Sequence, residues 1–267
     1  MIDSSVFAID IASGTSITAG TAIPMGCIDG PSVVRSGRGN ALLKRITTFR
    51  FGSPGVAFRV YVKNSDWVDP VVNEAGSLSD TTLDRRTGGY QNGNNCLMTE
   101  NSSWEVYAVA QASTTTTGDV SIFAIVDIDY PSVSSIIDPE QLTGIPCTIV
   151  QTTASITPNL AGAAVSAPWV TQNTDFFKAG FEYALQKCSV MTIGNGDVLL
   201  VGLSNAAGMG GLKRIIPCYV SASAICNIIE YASKLVKGPM DISVKAFSTT
   251  ATPKEYDILL DFVKHRV

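Results

Sequence analysis

Two stretches of this chain align on each other without a gap, and their alternation constrains the fold more than any other feature. Trp104-Glu-Val-Tyr-Ala-Val-Ala-Gln-Ala-Ser-Thr-Thr-Thr-Thr117 matches Met240-Asp-Ile-Ser-Val-Lys-Ala-Phe-Ser-Thr-Thr-Ala-Thr-Pro253. The register continues through Gly118-Asp-Val-Ser-Ile-Phe-Ala-Ile-Val126 and Lys254-Glu-Tyr-Asp-Ile-Leu-Leu-Asp-Phe262. On a strand every second side chain shares a face. In the first copy that face carries Trp104, Val106, Ala108 and Ala110, then Val120, Ile122, Ala124 and Val126. In the second it carries Met240, Ile242, Val244 and Ala246, then Tyr256, Ile258, Leu260 and Phe262. Each copy reads as a hairpin of two half-buried strands around a Ser/Thr-rich turn.

A second pair lies in the same order. Lys44–Gly55 followed by Val56–Val62 resembles Lys187–Gly196 followed by Asp197–Leu203, each a strand, a glycine-punctuated turn and a strand. Gly194 and Gly196 supply the left-handed residues that a tight hairpin needs. Repeated order and similar spacing indicate an internal duplication. The fold expected is mostly all-β, two tandem β-sandwiches, with one or two short helices in the second half.

Between these segments the halves diverge. The first half has a polar stretch from about Asn73 to Ser103, and residues 87–95 read as loop because they hold little but Gly, Asn, Thr and Gln. In the second half Ile225, Ile228, Ile229, Ala232, Leu235 and Val236 recur at helical spacing, with Ser221 or Ser223 as cap and Gly238-Pro239 as stop. This predicts a helix near 223–237. Thr174 to Lys187 is ambiguous. Phe176, Phe177, Phe181, Ala184 and Leu185 fit a helix face capped by Thr174 or Asp175, whereas alignment with the first half makes part of it a strand; helix is the preferred reading. Pro131 ends a strand, because proline cannot donate to a ladder. The expected division is a first sandwich over 1–131, a linker over 132–143 and a second sandwich over 144–267.

Composition narrows the function classes. Only 16% of the 267 residues are charged, against roughly 25% in an ordinary soluble domain, which suits a protein held in an assembly. Net charge is −4, and the densest basic clusters are Arg85-Arg86 and Lys213-Arg214. Nucleic-acid binding calls for a larger basic patch, so none is expected. The first residues lack a basic region ahead of an apolar run, and no stretch is long and apolar enough to span a bilayer. Cys27, Cys96, Cys147, Cys188, Cys218 and Cys226 include no Cys-x-x-Cys pair, which leaves zinc ribbons and redox motifs unsupported. Free, mostly buried thiols are expected.

No motif for chemistry emerges. His265 is the one histidine and is the third residue from the end, where a chain usually frays; a solvated tail residue is the expectation. Asp127 and Asp129 share one strand face, but no calcium-loop pattern follows them. Gly208-Met-Gly-Gly-Leu-Lys-Arg214 lacks the spacing and the strand–turn–helix setting of a phosphate loop. Asn101-Ser-Ser103 matches a glycosylation acceptor without an export signal. Trp67, Trp104 and Trp169 could make a sugar platform, although Trp104 falls on an inward row. Catalytic, cofactor-binding and metal-binding residues are all expected to be none, and an enzyme is not expected.

Two successive sandwiches with little charge and no catalytic pattern resemble the double jelly-roll major capsid proteins. The resemblance rests on Lys44–Val62 with Lys187–Leu203, on Trp104–Val126 with Met240–Phe262, and on the helix-like stretch near 223–237. It implies a virion structural protein, made in the host cytoplasm, whose homotrimers tile a shell through cyclic, heterologous contacts that close at three. Implied partners are further copies of the chain, penton or minor capsid proteins, and an internal membrane beneath the shell. The alternative is a receptor- or carbohydrate-binding double sandwich, a phage spike or cell-surface protein, using exposed aromatics such as Tyr90 in the 87–95 loop.

Overall fold

The computed structural model describes residues 2–28, 33–35, 41–52, 55–67, 69–77, 97–99, 102–129, 144–166, 168–172, 176–191, 197–205, 214–221, 224–226, 236–248 and 250–266. Among the described residues all regular structure is β and there is no helix. The chain divides into two compact units. One is Asp3–Ser132 with Ala161–Ser166; the other is Met1–Ile2, Val133–Leu160 and Ala167–Val267.

The N-terminal unit contains β1 (Ile2–Ile11), β2 (Ser16–Ile17), β3 (Ala22–Pro24), β4 (Gly26–Cys27), β5 (Val33–Arg35) and β6 (Ala41–Gly52). It continues with β7 (Phe58–Asn64), β8 (Val71–Ser77), β9 (Leu97–Met98), β10 (Ser103–Ala110), β11 (Thr114–Thr115) and β12 (Val120–Asp129). One run of paired strands is β4-β1-β12-β6 and the other is β3-β10-β7-β8. β8 joins them: its first residues lie antiparallel to β7, and Gly76 and Ser77 lie parallel to Phe49 and Arg50 of β6. The two runs pack face to face, since Phe7 of β1 meets Trp104 of β10 edge-on at 5.2 Å although these strands do not pair. One apolar cluster, drawn from both runs, fills the space between them.

The C-terminal unit contains β13 (Ile145–Thr152), β14 (Val170–Gln172), β15 (Phe181–Val190), β16 (Val198–Asn205) and β17 (Arg214–Ser221). Then come β18 (Ala224–Cys226), β19 (Val236–Lys237), β20 (Met240–Phe247) and β21 (Asp257–Arg266). Its sheets are β13-β21-β15-β19 and β14-β20-β16-β17-β18. Their core brings Ile149, Tyr183, Cys188, Ile258 and Leu260 together with Leu199, Val201, Ile242 and Val244. The aligned segments hold equivalent places: β12 pairs β6 and β10 pairs β7, while β21 pairs β15 and β20 pairs β16.

All sixteen positions of the four alternating rows are buried, none more than 4% exposed. The pairing expected of them is corrected. β10 and β12 are not neighbours, nor are β6 and β7, nor their C-terminal counterparts; the two strands of each expected hairpin lie in opposite runs of the N-terminal unit and in opposite sheets of the C-terminal unit. Period-2 burial reports that a face is covered, and it says nothing about which strand lies alongside.

The preferred helix over 174–187 is also corrected, because Phe181–Val190 is the strand β15. Its register against β21 shifts between Leu185 and Lys187. The bulge moves burial from Tyr183 to Cys188 and Val190, and one inserted residue makes a strand imitate helical spacing. At 223–237 the ends of the expected helix are strands, Ala224–Cys226 against β17 and Val236–Lys237 against β15; 227–235 lie outside the described residues. So do the 132–143 linker and the 87–95 loop.

Candidate functional site

β7 and β10 turn alternate residues to opposite sides. Phe58, Val60 and Val62 go inward with Trp104, Val106 and Ala108. Arg59, Tyr61 and Lys63 therefore share the outer face with Glu105, Tyr107 and Val109. Register sets Tyr107 opposite Tyr61 and Glu105 opposite Lys63. The tyrosine rings stack with centroids 5.2 Å apart and planes 5° from parallel. On either side Val72 of β8 stands opposite Tyr61, and Pro24 of β3 opposite Tyr107. An apolar row thus crosses four strands on the outer face of this sheet.

Beside the row lies a groove of about 490 Å³, bounded by Gly20, Pro24, Tyr61 and Tyr107, with the buried Met25 and Val106 beneath. Gly20, at φ 76°, takes the left-handed conformation that turns the chain into β3. Its amide donates to the Ala110 carbonyl at 3.3 Å. Lys63 and Glu105 stand exposed in the lining of the groove, and no ion pair joins them among the described residues. Burial first, then the charges of Tyr61 and Glu105, holds the Tyr107 hydroxyl above its ordinary value of 10.0. It stays a protonated donor at neutral pH. Flat carbon surface ringed by a few donors and acceptors is the chemistry of ligand binding.

A second polar cluster lies in the C-terminal unit. Lys254 Nζ donates to both oxygens of the buried Asp197 at 2.9 and 3.0 Å and to Ser248 Oγ at 3.1 Å. The serine accepts from an ammonium, which does not activate it as a nucleophile.

The residues singled out in the sequence do not assemble. His265 lies in β21 opposite Glu182, so the frayed tail expected there is a strand end. Asp127 and Asp129 are in β12, opposite Arg45 and Leu42, with a register shift after Asp127. Trp104 is core; Trp67 donates through Nε1 to the Leu97 carbonyl at 2.8 Å; Trp169 stacks under the Lys245 ammonium at 5.4 Å. Cys27, Cys147 and Cys188 form no disulfide. Tyr90, Arg85, Arg86, Asn101 and 208–213 lie outside the described residues. No group of three or more metal-ligating side chains occurs among the described residues.

Tyr61 and Tyr107 carried a sequence signal, an aromatic on the polar face of an alternating strand. Only the register of β7 and β10 brings the two together. The described residues form two all-β units, one of which carries a groove beside a stacked tyrosine pair. No protein-family model matches the chain. No curated protein matches it either.

Proposed function

We propose that the chain is a virion structural protein, a major capsid protein of the double jelly-roll type, whose homotrimers tile a shell. The repeated strand order supports this reading. In the N-terminal unit β1 lies beside β12 and β12 beside β6, while β10 lies beside β7 and β7 beside β8. In the C-terminal unit β13 lies beside β21 and β21 beside β15, while β20 lies beside β16 and β16 beside β17. In each unit the first and last long strands are neighbours, and the long strand before the last lies in the other run or sheet, as a jelly roll would require. The repetition of this strand order in the two units is the observation that carries the proposal. A sparsely charged surface suits permanent contacts, with other copies and with penton or minor capsid proteins as partners. The C-terminal unit also exposes Ile145, Val150, Phe176 and Met191, the kind of apolar surface that interfaces cover.

Mass photometry and negative-stain electron microscopy of the purified chain test the proposal. The expected result is a species at three times the 28.2 kDa chain mass that forms closed shells or ordered sheets. Monomers that stay monomeric at every concentration refute it.

A further inference from the structure

We infer that the groove beside Tyr61 and Tyr107 is a carbohydrate site that takes an uncharged pyranose ring. A pyranose is amphipathic: its axial C–H bonds give one apolar face, and its hydroxyls radiate from the rim. The groove offers the complement. Tyr107, Tyr61 and Pro24 provide carbon surface, while the exposed Lys63 and Glu105 provide donor and acceptor. Its volume of about 490 Å³ matches one or two sugar rings and falls within the usual span of small-ligand pockets.

Charge decides the class of sugar. The opposed Lys63 and Glu105 nearly cancel, so a carboxylate or phosphate gains one contact and meets one repulsion. Hydroxyls use both groups. The site is also rigid before binding, since both tyrosines sit on strands paired over Trp104–Ala110 and Phe58–Asn64 and their rings already stack. Little ordering is left for a ligand to impose.

The inference is independent of shell formation and is tested on the purified full chain. Saturation-transfer NMR with the methyl glycosides of glucose, galactose, mannose and N-acetylglucosamine, with sialyllactose as the anionic control, reads binding directly. Transfer to the ring protons of at least one neutral glycoside is expected. Tyr107→Ala weakens it about tenfold, the loss of one aromatic contact, and Glu105→Gln weakens it by a smaller factor. Both residues face outward, so thermal melting stays near wild type; if Tyr107→Ala melts early, Tyr107→Leu replaces it in the titration. Transfer from none of the neutral sugars overturns the inference. So does binding that survives both Tyr61→Ala and Tyr107→Ala, or a Tyr107 variant that loses self-association while sugar binding is absent in wild type. That last result makes the row a contact between subunits.

Discussion

At the scale of single residues, the two cores hold polar atoms whose partners set their value. Asp197 is 1% exposed and Lys254 31%, so breaking their pair leaves a buried carboxylate without its ammonium. Loss of one partner of a fully buried pair costs roughly 3–5 kcal/mol. The partly solvated lysine lowers that, and Lys254→Met is expected to cost about 2 kcal/mol in a urea titration. Tyr256 is the opposite case. Its hydroxyl is fully buried with no hydrogen-bond partner among the described residues, and burial pushes it far above the usual tyrosine range, helped by the charge of Asp197. Tyr256→Phe removes an unsatisfied group while keeping the ring, and is expected to be neutral or to stabilise by up to about 1 kcal/mol, read as an unchanged or raised melting temperature. Asp66 supplies a pH dependence. The backbone amide of Thr99, then its hydroxyl, donates to the carboxylate at 2.9 and 2.8 Å and lowers its pKa from the ordinary 3.8. A depressed folded value means this contribution is complete above 3.8 and disappears as pH falls through the lower folded value. Hydrogen exchange at the Thr99 amide should accelerate over that acid interval, and Asp66→Asn should abolish the pH dependence.

At the scale of elements, the clearest device is the segment Ala161–Ser166, which belongs to the N-terminal unit despite lying beyond β13 in the sequence. Asp10 fastens it. One carboxylate oxygen accepts from the Ala164 amide and the Ser121 hydroxyl, both at 2.7 Å, and the other accepts from the Val165 amide at 2.8 Å. Ser121 in turn accepts from the Gly162 amide at 2.9 Å. Asp10→Ala removes three charge-assisted bonds and is expected to destabilise the unit by about 2 kcal/mol, with faster exchange at the Ala164 and Val165 amides as the local readout. A fragment ending before Ala161 lacks this segment and should melt below the full chain. Edge strand β13 shows a different economy. The Thr153 amide donates to the Tyr256 carbonyl, and Thr153 follows on the Ile145–Thr152 register. Odd-numbered residues therefore bond to β21 and even-numbered ones face outward. Pro146 falls on an outward position, where the missing N–H costs no ladder bond and blunts the edge.

At the scale of the whole molecule, self-association should depend on exposed apolar side chains more than on charge. Val150 is 54% exposed on the outer face of β13 and Met191 66% exposed just past β15. Val150→Glu with Met191→Glu is expected to shift the purified chain toward monomer in mass photometry while its melting temperature stays near wild type; an unchanged trimer would place the contact elsewhere. How far the sequence could be read differs between elements. The four rows from Trp104 to Phe262 were legible because burial on a strand repeats every two residues, a property of the chain's own geometry. Strand β15 was not, because its bulge at Leu185–Lys187 breaks the period, and the strands Ala224–Cys226 and Val236–Lys237 were not, because pairing with β17 and β15 overrides local helix spacing. The sequence by itself determined which side chains are inside and that the pattern occurs twice. Tertiary structure alone decided that Trp104–Ala110 and Val120–Asp129 lie in opposite runs of paired strands, that Asp10 holds a segment more than a hundred residues away, and that Tyr61 and Tyr107 stack into one surface. Each of these depends on chain segments remote in sequence being brought together, which the packing of the whole unit sets.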